Sequence, residues 1–192
     1  FALPFMWQFY GLTVARHVFG AADDHSELFK QGTEWGGVCF AVYNLVCFLV
    51  AFGIPPLAER IGRKGVHIIC LSCGGLGLIS TYFAANPYFL WIGMIGVGIA
   101  WASILSMPYV ILAGAIKPER MGVYMGVFNL FIVIPQVVQS FLTPQIYKGL
   151  LGNNPLNAVM LGGVSMIVAA VSVMIVKDVG AANVTPSSGG GH

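Results

Sequence analysis

The sequence predicts an all-α, polytopic membrane protein with six transmembrane helices, and three observations support this fold class. Hydrophobic residues make up 57% of the 192 residues and charged residues only 8%, whereas soluble domains carry about a quarter charged residues. No Asp, Glu, Lys or Arg lies between Glu34 and Glu59 or between Lys64 and Lys117. Helices are expected in such stretches because every backbone polar group in lipid has to be bonded within the protein.

Charged and turn-forming residues divide the chain into the six predicted spans. The first span, at residues 1–19, is followed by a polar loop at 20–32, and the second span, at 35–54, stops at the prolines Pro55 and Pro56. The third span covers residues 66–84, and Asn86 then begins a turn because the residue before a proline disfavours helix. Residues 88–116, 121–147 and 156–176 give the last three spans, separated by a polar turn at 117–120 and a loop at 149–155.

Residues 1–177 therefore form one predicted six-helix unit, and the Gly/Ser-rich residues 178–192 form a disordered tail. The charge-free opening, residues 1–15, is shorter than the roughly 20 residues that a helix needs to cross a bilayer. We expect the first span to have lost its beginning and the chain to be a fragment.

Lysine and arginine residues predict the orientation of the helices. Six basic residues fall on one predicted side and three on the other, namely Arg60, Arg63, Lys64, Lys117, Arg120 and Lys177 against Arg16, Lys30 and Lys148. Because cytoplasmic loops carry the excess of Lys and Arg, loops 55–65 and 117–121 and the carboxyl-terminal tail are expected in the cytoplasm.

Several classes of function find no support in the composition. The net charge is only +2 and no basic tract is interleaved with aromatic residues, so no nucleic-acid partner is predicted. No nucleophile stands with a base and no phosphate loop is present, so no enzyme is predicted. No metal or cofactor is predicted either: Cys70 and Cys73 have metal or redox spacing without a second pair, and the acidic segment 23–27 is interpreted as a solvated loop rather than a metal site.

Polar side chains inside the predicted spans are the candidate binding residues, because such groups are costly in lipid. Asn129 and Gln136 are seven residues apart in the fifth span and therefore share one helix face, together with Ser140 and Thr143. This face either lines a wet cavity or bonds a neighbouring helix. No carboxylate lies within the spans, so the chain lacks an evident proton carrier.

The other spans add aromatic and polar candidates: Trp7, Gln8, Asn44, Ser106 and Tyr109. Aromatic rings beside amides suit a neutral sugar, since the C–H face of the sugar packs on a ring while its hydroxyls bond to the amides. Glycines at 74, 75, 77, 93, 96, 98, 122 and 126 predict close approach between helices.

The segment Leu57-Ala58-Glu59-Arg60-Ile61-Gly62-Arg63-Lys64 resembles the loop signature Gly-x-Leu-Ala-Asp-Arg-x-Gly-Arg-Lys of the major facilitator superfamily. This chain has Pro55 in place of the leading Gly and Glu59 in place of Asp. The block Asn129-Leu130-Phe131-Ile132-Val133-Ile134-Pro135-Gln136 is similar to the eleventh helix of sucrose-type sugar:cation symporters, the glycoside-pentoside-hexuronide-like group of that superfamily. His17-Val18-Phe19-Gly20 is similar to the end of their seventh helix.

The resemblance implies the carboxyl-terminal six-helix half of a twelve-helix transporter in the inner membrane. Its implied partners are the amino-terminal half of the same transporter, a small neutral sugar or glycoside and a coupling proton, and the main sugar-binding charges and the coupling carboxylate would lie in that other half. The implied cytoplasmic gate consists of Glu59, Arg60, Gly62, Arg63, Lys64, Glu119 and Arg120. Two alternatives remain open: an oligomeric channel or scaffold, and a transporter of the same superfamily for a non-sugar molecule.

Overall fold

The computed structural model describes residues 2–176, and this part of the chain is a bundle of α-helices. The helices are α1 (Ala2–Thr13), α2 (Glu27–Ala51), α3 (Ile54–Ile61), α4 (Arg63–Ser80), α5 (Leu90–Ala115), α6 (Met121–Gln145) and α7 (Pro155–Val173). One π-helical turn, Val14–Val18, continues α1, and another, Ile146–Leu150, continues α6. Short 3₁₀ turns lie at Thr81–Phe83, Pro87–Phe89 and Pro118–Arg120. The predicted tail at 178–192 lies outside the described residues.

Five of the described helical stretches are long and apolar enough to cross a membrane: Glu27–Ala51, Arg63–Phe83, Pro87–Ala115, Met121–Leu150 and Pro155–Val173. They fall on the second to sixth predicted spans, and the shorter α1 falls on the first. The structure thereby confirms the all-α, polytopic membrane class.

The predicted boundaries are wrong at the start of α2. Residues 27–32 were expected in a polar loop, but α2 already begins at Glu27. The Ser26 side chain accepts a hydrogen bond from the Phe29 backbone N–H at 3.1 Å and so caps the helix. Glu27 in the first turn adds a favourable negative charge at the helix N-terminus. These local contacts extend the helix beyond the apolar stretch.

The predicted loop after α2 is in fact the short helix α3. Pro55 and Pro56 do not stop the chain; they occupy its first turn, where the missing backbone N–H of proline has no partner to lose. The break comes at Gly62, whose φ of +81° is a conformation that glycine adopts readily. The next helix, α4, therefore begins at Arg63 rather than at residue 66.

Glycines set the packing of the central helices. A Cβ atom on Gly93 of α5 would lie 2.6 Å from the Gly77 carbonyl oxygen of α4, and one on Gly75 would lie 2.9 Å from the Gly163 carbonyl oxygen of α7. Backbone contacts this close confirm the predicted approach of α4 and α5. Gly122 and Gly126 of α6 make no such approach among residues 2–176, where nothing lies within 4 Å of an added Cβ.

Side-chain contacts define the two ends of the bundle. At one end the Arg63 guanidinium donates to the Val110 carbonyl of α5 at 3.3 Å, and the Lys64 ammonium donates to the Val176 carbonyl, just beyond α7, at 2.9 Å. We call this the basic end: α3, the start of α4 and the ends of α5 and α7. At the opposite end the Trp35 indole N–H donates to the Pro87 carbonyl at 3.0 Å.

Candidate binding cavity

A cavity of about 860 Å³ lies between α1, α4, α5, α6 and α7. Small-molecule sites in proteins usually measure about 300–1,000 Å³. Its lining includes the start of α1, His67 and Leu71 in the first half of α4, residues 101–109 of α5 and residues 161–173 of α7, so the cavity lies toward the basic end. Its volume and position make it the candidate binding site.

Two tryptophans form one wall of the cavity. Trp7 of α1 and Trp101 of α5 both line it, and their rings meet edge to face with centroids 5.5 Å apart. The Trp7 indole N–H donates to the Tyr43 hydroxyl of α2 at 3.2 Å, which fixes the plane of the ring. Trp7 was predicted as a site residue, whereas Trp101 was not.

Tyr109 of α5 lines the cavity and links it to α6. Its hydroxyl donates to the Asn129 side-chain oxygen at 2.9 Å, and its ring packs edge to face on Phe128 at 5.2 Å. Asn129 therefore contacts the site through Tyr109 and does not itself line the cavity.

Gln136 is the third predicted residue that lines the cavity. It lies beside Ile132 on α6, and its side-chain amide makes no hydrogen bond to any other residue within 2–176. An amide has two N–H donors and one oxygen acceptor. Gln136 therefore offers unused hydrogen-bonding groups at the cavity.

The structure does not bring the other three predicted residues into this cavity. The Asn44 amide donates to the Phe40 carbonyl and the Ser106 hydroxyl to the Ala102 carbonyl, each at 2.8 Å and within its own helix. Short polar side chains in helices often bond back in this way. Gln8 is exposed on α1, away from the cavity.

His67 of α4 is a cavity residue that the sequence reasoning missed. It is 7% exposed, lines the cavity, and its Nδ1 lies 2.8 Å from the hydroxyl oxygen of the buried Ser103. The available signal was a histidine within the charge-free stretch at 65–116, because a titratable group inside a membrane span is a functional candidate by default.

The proposed gate residues lie at and around the basic end. Gly62 forms the break between α3 and α4, and the basic side chains of Arg63 and Lys64 bond to helix-end carbonyls rather than to acids. The remaining four are exposed: Glu59, Arg60, Glu119 and Arg120. The one ion pair within residues 2–176 lies at the opposite end, between Arg16 and Asp24 at 2.9 Å.

No group of three or more His, Cys, Asp or Glu side chains within residues 2–176 is arranged to hold a metal ion. Cys70 and Cys73 are both free thiols. The acidic segment uses one of its carboxylates, Asp24, in the ion pair with Arg16.

Comparison with known proteins gives partial matches to transporters. A Salmonella typhi protein described as an uncharacterized MFS-type transporter, YhhS, is 27% identical over 126 residues, which are 63% of this chain and 30% of the relative. The Escherichia coli K12 protein of that name is 25% identical over 123 residues, again 63% of this chain and 30% of the relative. No family model and no solved structure matches the chain.

The helical bundle and its cavity define the class: a polytopic α-helical membrane protein with a space of small-molecule size between its helices. Over the matched residues the chain is similar to proteins described as MFS-type transporters. The chain spans about 30% of the length of these relatives.

Proposed function

We propose that this chain forms the carboxyl-terminal half of a secondary transporter that carries a neutral sugar or glycoside in symport with a proton, and that it has no enzymatic activity. The observation that carries the proposal is the cavity, which combines the Trp7–Trp101 aromatic wall with the unused amide of Gln136 and the hydroxyl of Tyr109. A sugar ring packs its C–H face on an aromatic surface while amides and hydroxyls bond its hydroxyl groups. No Asp, Glu, Lys or Arg lines the cavity within residues 2–176, which favours a neutral solute.

Alternating access requires a second half that rocks against this one around the bound solute. The apolar surface of α6 supports such a partner: Val123, Phe131 and Phe141 are each more than 70% exposed in this chain. Apolar area this large is buried by lipid or by another helical unit. We propose the amino-terminal half of the same transporter as the unit that covers part of it.

The proposed location is the inner membrane, with the basic end and the tail in the cytoplasm. Basic residues favour the cytoplasmic side, and Arg60, Arg63 and Lys64 lie at that end. In this arrangement the basic end is the cytoplasmic gate, with Glu59, Gly62, Glu119 and Arg120 as its further members. Arg63 and Lys64 hold the start of α4 against the ends of α5 and α7, and we expect these contacts to close one side of the cavity.

A second candidate keeps the transporter and changes the solute. Most of the cavity surface is aliphatic, with Leu71, Ile104 and Leu105 among its lining residues. An amphipathic, drug-like molecule gains more from such a surface than a polyol does, since burial of apolar area contributes about 25 cal/mol per Å². An oligomeric channel or scaffold is the alternative of a different class, and the exposed α6 is the feature that favours it.

Solute exchange measures the proposed function directly. The full-length protein that contains this chain is reconstituted in vesicles preloaded with one of a panel of neutral sugars, glycosides, organic acids and amphipathic drugs. Exchange of a labelled neutral sugar or glycoside supports the proposal. Exchange confined to drugs or acids supports the second candidate, and passive leakage through oligomers supports the channel.

Matched amide variants connect that exchange to the cavity. Gln136→Ala removes an amide that lines the cavity, whereas Asn44→Ala removes one that bonds to its own helix. Loss of a hydrogen bond worth about 1.4 kcal/mol weakens binding about tenfold. We expect a change of that size for Gln136→Ala and less than about twofold for Asn44→Ala. Equal affinities for the two variants would contradict the proposed site.

A further inference from the structure

We propose that His67, with Ser103 as its hydrogen-bond partner, is a proton-binding site in the cavity and that it holds the coupling proton. The first part concerns this chain alone, and the second part rests on the proposed transport function. Sequence reasoning left the coupling group to a carboxylate outside this chain.

The geometry leaves one ring nitrogen of His67 available. Nδ1 lies 2.8 Å from the Ser103 hydroxyl oxygen, and this bond fixes the ring against α5. Nε2 makes no hydrogen bond within residues 2–176, and it is not among the unbonded polar atoms that are sealed from solvent, which belong to Tyr10 and Gln139. The residue lines the cavity. The free nitrogen is therefore reachable from the space in which a solute would bind.

The protonation step follows from this arrangement. With the proton of the neutral ring on Nδ1 and donated to Ser103, Nε2 carries a lone pair. A hydronium ion in the cavity gives its proton to Nε2, which leaves an imidazolium and a water molecule. Histidine is the side-chain type whose unperturbed pKa, about 6.5, lies near physiological pH, which suits it in general to binding and releasing a proton. Release on the other side of the membrane is the reverse of this step.

Few other titratable groups lie near His67. From α5 the cavity contains Tyr109, and α7 carries no titratable side chain between Pro155 and Val173. The other elements packed against α4 carry three titratable groups: Glu59 and Arg60 on α3, and Tyr82 at the opposite end. On α4 itself they are Arg63, Lys64, Cys70 and Cys73. Arg63 and Lys64 are bonded to backbone carbonyls. No described carboxylate lines the cavity to compete with His67 for the proton.

Protonation of His67 changes the relative free energies of the open and the closed cavity. A buried charge without water or a partner is costly, so protonated His67 favours a hydrated, open cavity or one occupied by a hydroxyl-bearing solute. Neutral His67 permits the empty cavity to close. Proton and solute then stabilise the same state, which is the condition for coupling.

Histidine NMR tests proton binding without any solute. The full-length protein with ¹⁵N-labelled histidine is titrated from about pH 5 to about pH 8, and the His67 signal is identified by its absence in His67→Gln. We expect the signal to titrate within this range and Ser103→Ala, which removes the hydrogen-bond partner of Nδ1, to move its midpoint. A His67 ring that stays neutral throughout the range overturns the proposal.

Transport with and without a proton gradient tests coupling. We expect His67→Gln to lose gradient-driven accumulation about tenfold more than it loses exchange, and His17→Gln to lose neither; His67→Asn replaces the glutamine variant if that one does not fold. Accumulation by both His67 variants at the wild-type level overturns the coupling role and leaves the proposed transport standing. If the wild type exchanges no solute of the panel, the transport proposal fails, and the NMR titration still decides whether His67 binds a proton.

Discussion

The Tyr109 hydroxyl donates a hydrogen bond to the Asn129 side-chain oxygen across 2.9 Å, and this bond ties α5 to α6. It matters because α6 has only two buried side chains within the described chain, Gln139 and Thr143. The polar face predicted on α6 therefore serves both of the roles considered for it: Asn129 bonds a neighbouring helix, and Gln136 lines the cavity.

A double-mutant cycle on Tyr109→Phe and Asn129→Ala measures this link. We expect a coupling free energy of about 0.5–1.5 kcal/mol, the usual net value of one hydrogen bond, from unfolding of the protein in detergent. Ser106→Ala is the matched control, since its hydroxyl bonds to its own helix at Ala102. A coupling between Tyr109 and Asn129 no larger than that between Ser106 and Asn129 would show that the bond does not hold α6.

Glycine substitutions test the packing of α4 on α5. Gly77→Ala places a Cβ against the Gly93 carbonyl and is expected to destabilise the protein by about 1–3 kcal/mol, as overpacking usually does. Gly126→Ala on α6 meets open space and is expected to be neutral or to stabilise by up to about 1 kcal/mol, because alanine favours helix. Thermal unfolding in detergent compares them. Similar effects at the two positions would contradict the close crossing of α4 and α5.

The Lys64 ammonium stabilises the end of α7. It donates to the carbonyls of Met174 and Val176, which follow the last helical residue. A cation at a helix C-terminus contributes about 0.3–1 kcal/mol, so Lys64→Gln is expected to lower the free energy of unfolding by that amount. Lys30→Gln, on the exposed start of α2, is the control and should change it less. Equal losses would mean that Lys64 acts only through net charge.

The membrane spans were predictable because hydropathy and charge distinguish segments that lie in lipid from segments that lie in water. Charge-free stretches and the turn at Asn86 located the helices, whereas the exact ends depended on local bonds. The Ser26 cap begins α2 early, and Gly62 rather than Pro55 breaks the chain. Such ends are decided by single side chains, which a composition window averages away.

Cavity residues were predictable where residue type or spacing within a single helix marked them, as with Trp7, Tyr109 and Gln136. The seven-residue spacing on α6 found Gln136 and Asn129. Asn44 looked equally suitable but bonds to its own helix, which spacing does not reveal. The contact between His67 and Ser103 depends on the register of α4 against α5, and glycine contacts set that register. The spacing of residues along one helix does not predict which residues of two packed helices meet.

Charge reversal at Arg63 tests the proposed gate. Arg63 donates to the Val110 carbonyl near the end of α5 at 3.3 Å, and a carboxylate there would face the negative end of that helix. In the full-length protein we therefore expect Arg63→Glu to separate the start of α4 from α5 and to open the cavity at the basic end. The readout is labelling of a cysteine introduced at Ser165, a cavity residue, by a membrane-impermeant maleimide added from each side.

The control for this experiment is Arg60→Glu, which makes the same change of charge at an exposed position on α3. Increased labelling from the basic end in Arg63→Glu alone supports a gate that depends on the contact with Val110. Equal increases in both variants indicate that net charge at this end, rather than that hydrogen bond, sets the resting state. If neither variant changes the labelling, the gate proposal fails for these arginines. Their role is then to orient the chain in the membrane, because basic residues fix topology whether or not a gate is present.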